Sequence, residues 1–233
     1  MTEAQWLAGD DLVGMLTFVQ TRTTNRKQRL FACGCCRGMW EAEPGVAVDR
    51  AIRIGYWHAD EGNNDEQANR PAWEQVLQEG RAAGQAGDRM TSVLTFFAGS
   101  CLLKDPLSLF IDTPRRSVRG WLFELPWRVS RWLGGPVSTH EQVKERMRGW
   151  CSFARDVFGN PFRPAAVDPT WLTSTAVATA RQMYESRDFS AMPILADALQ
   201  DAGCECDDIL SHCRGPGPHV RGCWVVDLVL GKT

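Results

Sequence analysis

The sequence predicts an all-α fold: a multi-helix body with a smaller C-terminal helical bundle. Three observations predict it. Apolar residues recur at helical spacing through most of the chain, capping and stop residues punctuate that spacing, and strand-like alternation is scarce.

Thr2 with Gln5 makes a capping box just before Trp6, and Leu12, Met15, Leu16 and Val19 then give one apolar face. Between Arg26 and Trp40, the residues Leu30, Cys33, Cys36 and Trp40 fall on one helical stripe. Val48, Ala51, Ile52 and Ala59 predict another helix, ended by the polar loop Glu61-Gly62-Asn63-Asn64-Asp65. Asn69 followed by Pro71 reads as a helix start leading to Trp73, Val76 and Leu77. Met90, Val93, Leu94, Phe97 and Cys101 are spaced as a buried stripe, while the region from Asp105 to Pro136 is broken by prolines.

Ser138 with Glu141 forms the clearest capping box. It opens a helix carrying Val143, Met147, Trp150, Cys151, Ala154 and Phe158, which Gly159-Asn160-Pro161 stops. The Pro-rich connection from Asn160 to Thr170 divides an N-terminal helical body, 1–160, from a C-terminal helical subdomain, 161–233, unless the two form one continuous domain. Three short helices are predicted beyond it: Ser174 to Arg187, Pro193 to Ala202, and one following Pro218. Ile194, Leu195, Ala198 and Leu199 share a face, and Gly203 is placed to end that helix in a left-handed conformation. Val220, Cys223, Trp224 and Leu228 are expected on the buried side of the last helix, although the β-branched run in 223–230 also suits a strand.

A chain of 233 residues buries enough surface to fold without staples, and its 44% hydrophobic and 23% charged residues are ordinary for a globular protein. The formal net charge of -2 argues against a general nucleic-acid binder. The beginning MTEAQWLAGDDL lacks a basic segment followed by an apolar one, and no apolar run reaches about 18 residues. A cytoplasmic protein without a membrane span is therefore expected, its nine cysteines reduced and mostly buried.

Three constellations could carry chemistry. Cys33-Gly34-Cys35-Cys36 contains a Cys-x-x-Cys spacing, but it lies inside a helical pattern, without the helix N-terminus that activates a redox thiol. Cys33 and Cys36 share a helical face and could form half of a metal site, with core as the favoured reading. Cys204, Cys206, His212, Cys213, His219 and Cys223 offer the ligand types that zinc prefers, in no familiar paired-knuckle spacing. The competing reading is structural, and a thiol nucleophile would need a base within hydrogen-bond reach. Arg115, Arg116, Arg119, Trp127, Arg128, Arg131 and Trp132, with Trp121 among them, form a basic and aromatic stretch suited to docking a protein, stacking on nucleic acid or touching an anionic membrane surface. The favoured reading is nonetheless a structural tryptophan-rich helix whose arginines stack over rings and pair with the acidic segment from Asp60 to Glu66. Phosphate-loop, dinucleotide-binding, His-Glu-x-x-His and Gly-x-Ser-x-Gly motifs are absent. Gly215-Pro216-Gly217-Pro218 reads as a rigid turn, because its prolines lack the amides that hold an anion.

The segments MTEAQWL (1–7), RKQRLFACGCCRGMW (26–40), DVFGNPFRP (156–164), MPILADALQDAGC (192–204) and HVRGCWVVDLVLGK (219–232) resemble an uncharacterised bacterial family of planctomycete type. The resemblance covers roughly a third of the chain and brings no activity, cofactor or catalytic residues with it. The expectation for function is a non-catalytic protein-interaction or regulatory helical module whose partner is another protein. The alternative is a zinc- or thiol-dependent protein using the C-terminal Cys/His cluster. The third is a nucleic-acid-binding accessory protein acting through residues 115–132. No cofactor is expected under the first reading, and zinc is the candidate under the second.

Overall fold

The structure, a computed structural model, describes residues 1–38, 46–62, 66–86, 101–102, 105–107 and 140–232. Among the described residues it contains ten α-helices, one 3₁₀ turn and no strand. No helix among them is long and apolar enough to cross a membrane. The chain divides into two compact units, one formed by Asp10–Cys151 and the other by Met1–Gly9 with Ser152–Thr233. The division thus falls near Cys151 rather than at residue 160, and the first nine residues belong with the C-terminal part.

In the unit from Asp10 to Cys151, α2 (Leu12–Val19) is capped by Asp11, whose Oδ1 accepts the Gly14 N–H at 3.0 Å. Leu12, Met15, Leu16 and Val19 are buried, as their spacing predicts. Helix α3 (Asn25–Gly38) packs on α4 (Val46–Glu61), and α4 packs on α5 (Glu66–Gln85). Leu30, Cys33 and Cys36 are buried together with Phe31, Ala32 and Cys35, so α3 is covered on more than one side. Gly55 marks the closest approach: a Cβ there would meet Cys33 Sγ at 2.6 Å and Cys101 Cβ at 2.9 Å. Val48, Ala51, Ile52 and Ala59 are buried on α4, and burying a residue such as Ile52 contributes about 1.5–3 kcal/mol.

Helix α5 begins at Glu66, so Pro71 lies inside it rather than at its start. Asn69 is held by tertiary contact, its side-chain oxygen accepting from Nε2 of the buried His58 ring. Trp40, the loop 63–65, the stripe residues 90–97, the cap residue Ser138, and the stretch carrying Arg115, Arg116, Arg119, Trp127, Arg128, Arg131 and Trp132 lie outside the described residues, as do the side chains of Val143 and Met147.

The other unit begins with α1 (Glu3–Ala8), which carries the predicted capping box: the Gln5 N–H donates to Thr2 Oγ1 at 3.2 Å, and the Thr2 N–H donates to Gln5 Oε1 at 2.8 Å. Trp6 is fully buried, and its indole N–H donates to the Gly159 carbonyl at 2.9 Å. Arg155 Nε donates to the Trp6 carbonyl at 2.7 Å, and another Arg155 nitrogen donates to the Gly9 carbonyl. These bonds tie α1 to the end of α6 (His140–Phe158), which Gly159 closes with φ +66°.

Four helices follow rather than three: α7 (Ser174–Ser186), α8 (Met192–Asp201), α9 (Asp207–Arg214) and α10 (Trp224–Val229). Helices α7 and α8, α8 and α9, α7 and α10, and α9 and α10 pack against one another around Ala180, Met183, Leu195, Leu199, Ile209 and Val226. Gly203 follows α8 at φ +92°, as expected for a left-handed stop. Ile194, however, is 59% exposed and lies off the buried face that Leu195 and Leu199 share. The last helix starts at Trp224, not soon after Pro218, because Gly217 (φ +83°) and Gly222 (φ +102°) keep the chain irregular up to Cys223. Val225, Val226 and Val229 are its buried side, while Val220, Trp224 and Leu228 are half-buried. Packing of three valines at helical spacing settles 224–229 as helix despite their β-branching.

Candidate metal centre

Four side chains from three places in this unit converge: Asp156, His212, His219 and Cys223, with one ligand atom of each within 4.8 Å of all the others. Asp156 lies near the end of α6 between the buried Ala154 and Val157 and is itself 2% exposed. His212 lies in the last turn of α9, whose Ile209, Leu210 and Cys213 face the core and leave His212 at its margin. Asp207 and Asp208 in the first turn of α9 complement its dipole by about 0.3–1 kcal/mol each. His219 and Cys223 come from the irregular segment 215–223, which Val220 pins by donating its N–H to Asp156 Oδ2 at 2.9 Å.

Asp156 Oδ1 is the focus of the geometry. It lies 3.1 Å from His212 Nε2 and 3.0 Å from His219 Nδ1. His212 Nε2 also lies 3.2 Å from Cys223 Sγ. One ring nitrogen is therefore shared between a carboxylate oxygen and a sulfur. A tetrahedral ion with bonds of about 2.0–2.3 Å to nitrogen, oxygen and sulfur gives ligand–ligand edges of roughly 3.3–3.6 Å, which fall between the three close separations here and the 4.8 Å within which all four ligand atoms lie. One cation would have all four groups as ligands.

The electrostatics run the same way. Burial pushes the Asp156 carboxyl up, but hydrogen bonds from His212 and His219, the His212 charge and the Val220 N–H outweigh it and hold it below the usual carboxylate value. Burial, reinforced by the Asp156 charge, pushes the Cys223 thiol well above its ordinary value. His219 Nε2 is buried with no hydrogen-bond partner, so the ring's polar tie is made through Nδ1 to the site.

A thiol nucleophile fits this arrangement poorly. An activated thiol needs a base whose second nitrogen is oriented by a third group, whereas here Cys223 and Asp156 face the same nitrogen. Cys223 is also fully buried and favours its protonated form.

Of the six residues that the sequence singles out here, the structure brings together His212, His219 and Cys223. Cys204 and Cys213 lie in the helical core of the unit, where burial raises both thiols, that of Cys213 to about 12. Cys206 precedes α9, where its carbonyl accepts from the Ile209 and Leu210 N–H groups. Asp156 escapes a search for Cys and His clusters because it is distant in sequence and embedded in an amphipathic helix. Its one sequence signal is a carboxylate beside the buried positions 154 and 157. In the other unit, Cys33, Cys35 and Cys36 are core residues, with Cys36 and Cys101 sulfurs 3.8 Å apart and burial among neighbouring thiols raising Cys35. No disulfide joins any of the nine cysteines.

Comparison with protein-family models, with curated proteins and with solved structures finds no match for this chain.

Proposed function

We propose that this protein is a non-catalytic helical module whose C-terminal unit is held together by one divalent ion of the zinc type. The observation that carries the reading is the convergence of Asp156, His212, His219 and Cys223 within 4.8 Å, with one imidazole nitrogen shared between oxygen and sulfur. Two imidazoles, one carboxylate and one thiolate suit a borderline ion such as zinc(II) or cobalt(II) rather than calcium or magnesium, which take oxygen shells. Four protein donors fill a tetrahedral shell and leave no vertex for substrate, the pattern of structural rather than catalytic sites. The ion then ties α6, α9 and the segment leading into α10. A reducing, cytoplasmic setting agrees with nine cysteines that form no disulfide.

The test is elemental analysis of untagged protein, followed by melting with and without a strong chelator. One zinc per chain and a melting temperature lowered by the chelator are expected. A protein purified and reconstituted without bound metal sinks the reading.

A further inference from the structure

We propose that Trp224 is the positioning residue of this centre, holding the His212 imidazole in its ligating orientation through a three-layer stack of Gly159, Trp224 and His212. The proposal rests on the metal reading above. His212 is the ligand that most needs such support. Its side chain is 20% exposed, against 2% for Asp156 and 9% for His219, and it sits in the last turn of the short helix α9. Its ring is braced on two sides: by the His219 ring, edge-on at 5.0 Å between centroids, and by the Trp224 indole, tilted at 5.1 Å.

The indole is in turn fixed from behind. Gly159 presents its bare Cα face to it, and a Cβ there would lie 3.1 Å from Trp224 Cγ and 3.3 Å from Cδ2. With φ at +66°, residue 159 is held to glycine by its backbone as well as by this contact. The Gly159 carbonyl accepts the Trp6 indole N–H and its own N–H donates to the Arg155 carbonyl at 3.0 Å, so the floor of the stack is anchored on both sides. Gly159 stands one helical turn beyond the ligand Asp156, and Trp224 directly follows the ligand Cys223. One indole thus links the chain positions of three ligands. Groups that orient a metal-bound histidine from outside its coordination sphere commonly change affinity by about 10–100-fold.

The experiment compares the full chain with its Trp224→Leu and Trp224→Phe variants. It reads zinc affinity by competition with a chromophoric chelator and the visible absorption of the cobalt(II) form. Trp224→Leu is expected to weaken zinc binding about 10–100-fold and to alter the cobalt bands, while Trp224→Phe, which keeps an aromatic face, recovers most of the affinity. A Trp224→Leu protein with the parental cobalt spectrum overturns the proposal, whatever its melting temperature, because a purely structural indole leaves the coordination sphere unchanged. Should Trp224→Leu not fold, Trp224→Met, which also lacks an aromatic face, takes its place: weakened zinc binding with altered cobalt bands supports the proposal, and identity with the parent in affinity and spectrum overturns it. A parent protein that binds neither zinc nor cobalt instead overturns the metal reading itself.

Discussion

The Oδ1 atom of Asp156 lies 3.1 Å from Nε2 of His212, although one residue lies in the last turn of the long helix α6 and the other in the last turn of α9. Around this pair the rest of the centre is assembled, since His219 reaches the same oxygen, Cys223 reaches the same nitrogen, and Val220 holds the other carboxylate oxygen.

Asp156→Asn keeps the size of that side chain and removes its charge, so it should weaken metal binding and destabilise the unit by about 3–5 kcal/mol, the range for breaking a buried charged pair. The pH dependence follows from the sign of the shift. Asp156 is depressed in the folded protein relative to its ordinary value of 3.8, so the stability it contributes is present above that value and is lost as pH falls through the folded value. Urea unfolding of the metal-free proteins should show a gap between parent and Asp156→Asn that is constant near neutrality and narrows below about pH 4.

Cys204 and Cys223 are both buried thiols in the same unit, yet they should respond differently to loss of sulfur. Cys204→Ala trims a core residue, with an expected cost of about 1 kcal/mol and one metal still bound per chain. Cys223→Ala removes a ligand and should abolish stoichiometric zinc. Metal content and melting temperature measured on the two variants check this, and equal metal loss in both would place the site elsewhere in the cysteine cluster.

Much of this fold is legible in the sequence, because local signals and tertiary packing agree. The Thr2–Gln5 box, the buried face of α2, the stop at Gly159 and the left-handed Gly203 each follow from rules acting within a few residues. The errors arise where a distant contact decides. Pro71 reads as a helix start until Asn69 is seen bound to His58, and the last helix waits until Trp224 because His219 and Val220 turn toward Asp156. Helix α9 is hidden under residues that read as ligands, although its acidic first turn and basic last turn were visible signs. Three of the four site residues were legible as residue types. Asp156 was not, since no spacing rule connects a carboxylate on one helix to imidazoles far along the chain.

Trp6 should prove decisive for the unit despite its place near the beginning of the chain. It is fully buried, and its indole N–H holds the carbonyl that anchors Gly159. Trp6→Ala should cost about 3–5 kcal/mol, and Trp6→Phe, which leaves the Gly159 carbonyl without that donor, about 1–3 kcal/mol. Denaturant titration gives both values, and a Trp6→Ala protein as stable as the parent contradicts the assignment of residues 1–9 to this unit.

X-ray absorption at the zinc edge of the loaded protein tests the central claim most directly, because it counts donor types. The Asp156, His212, His219 and Cys223 centre predicts one sulfur at about 2.3 Å and three nitrogen or oxygen donors at about 2.0–2.2 Å. Two or more sulfurs would show that Cys204, Cys206 or Cys213 supplies the ligands instead, and a shell of six oxygen or nitrogen atoms would show that zinc binds outside this centre. Either result contradicts the account.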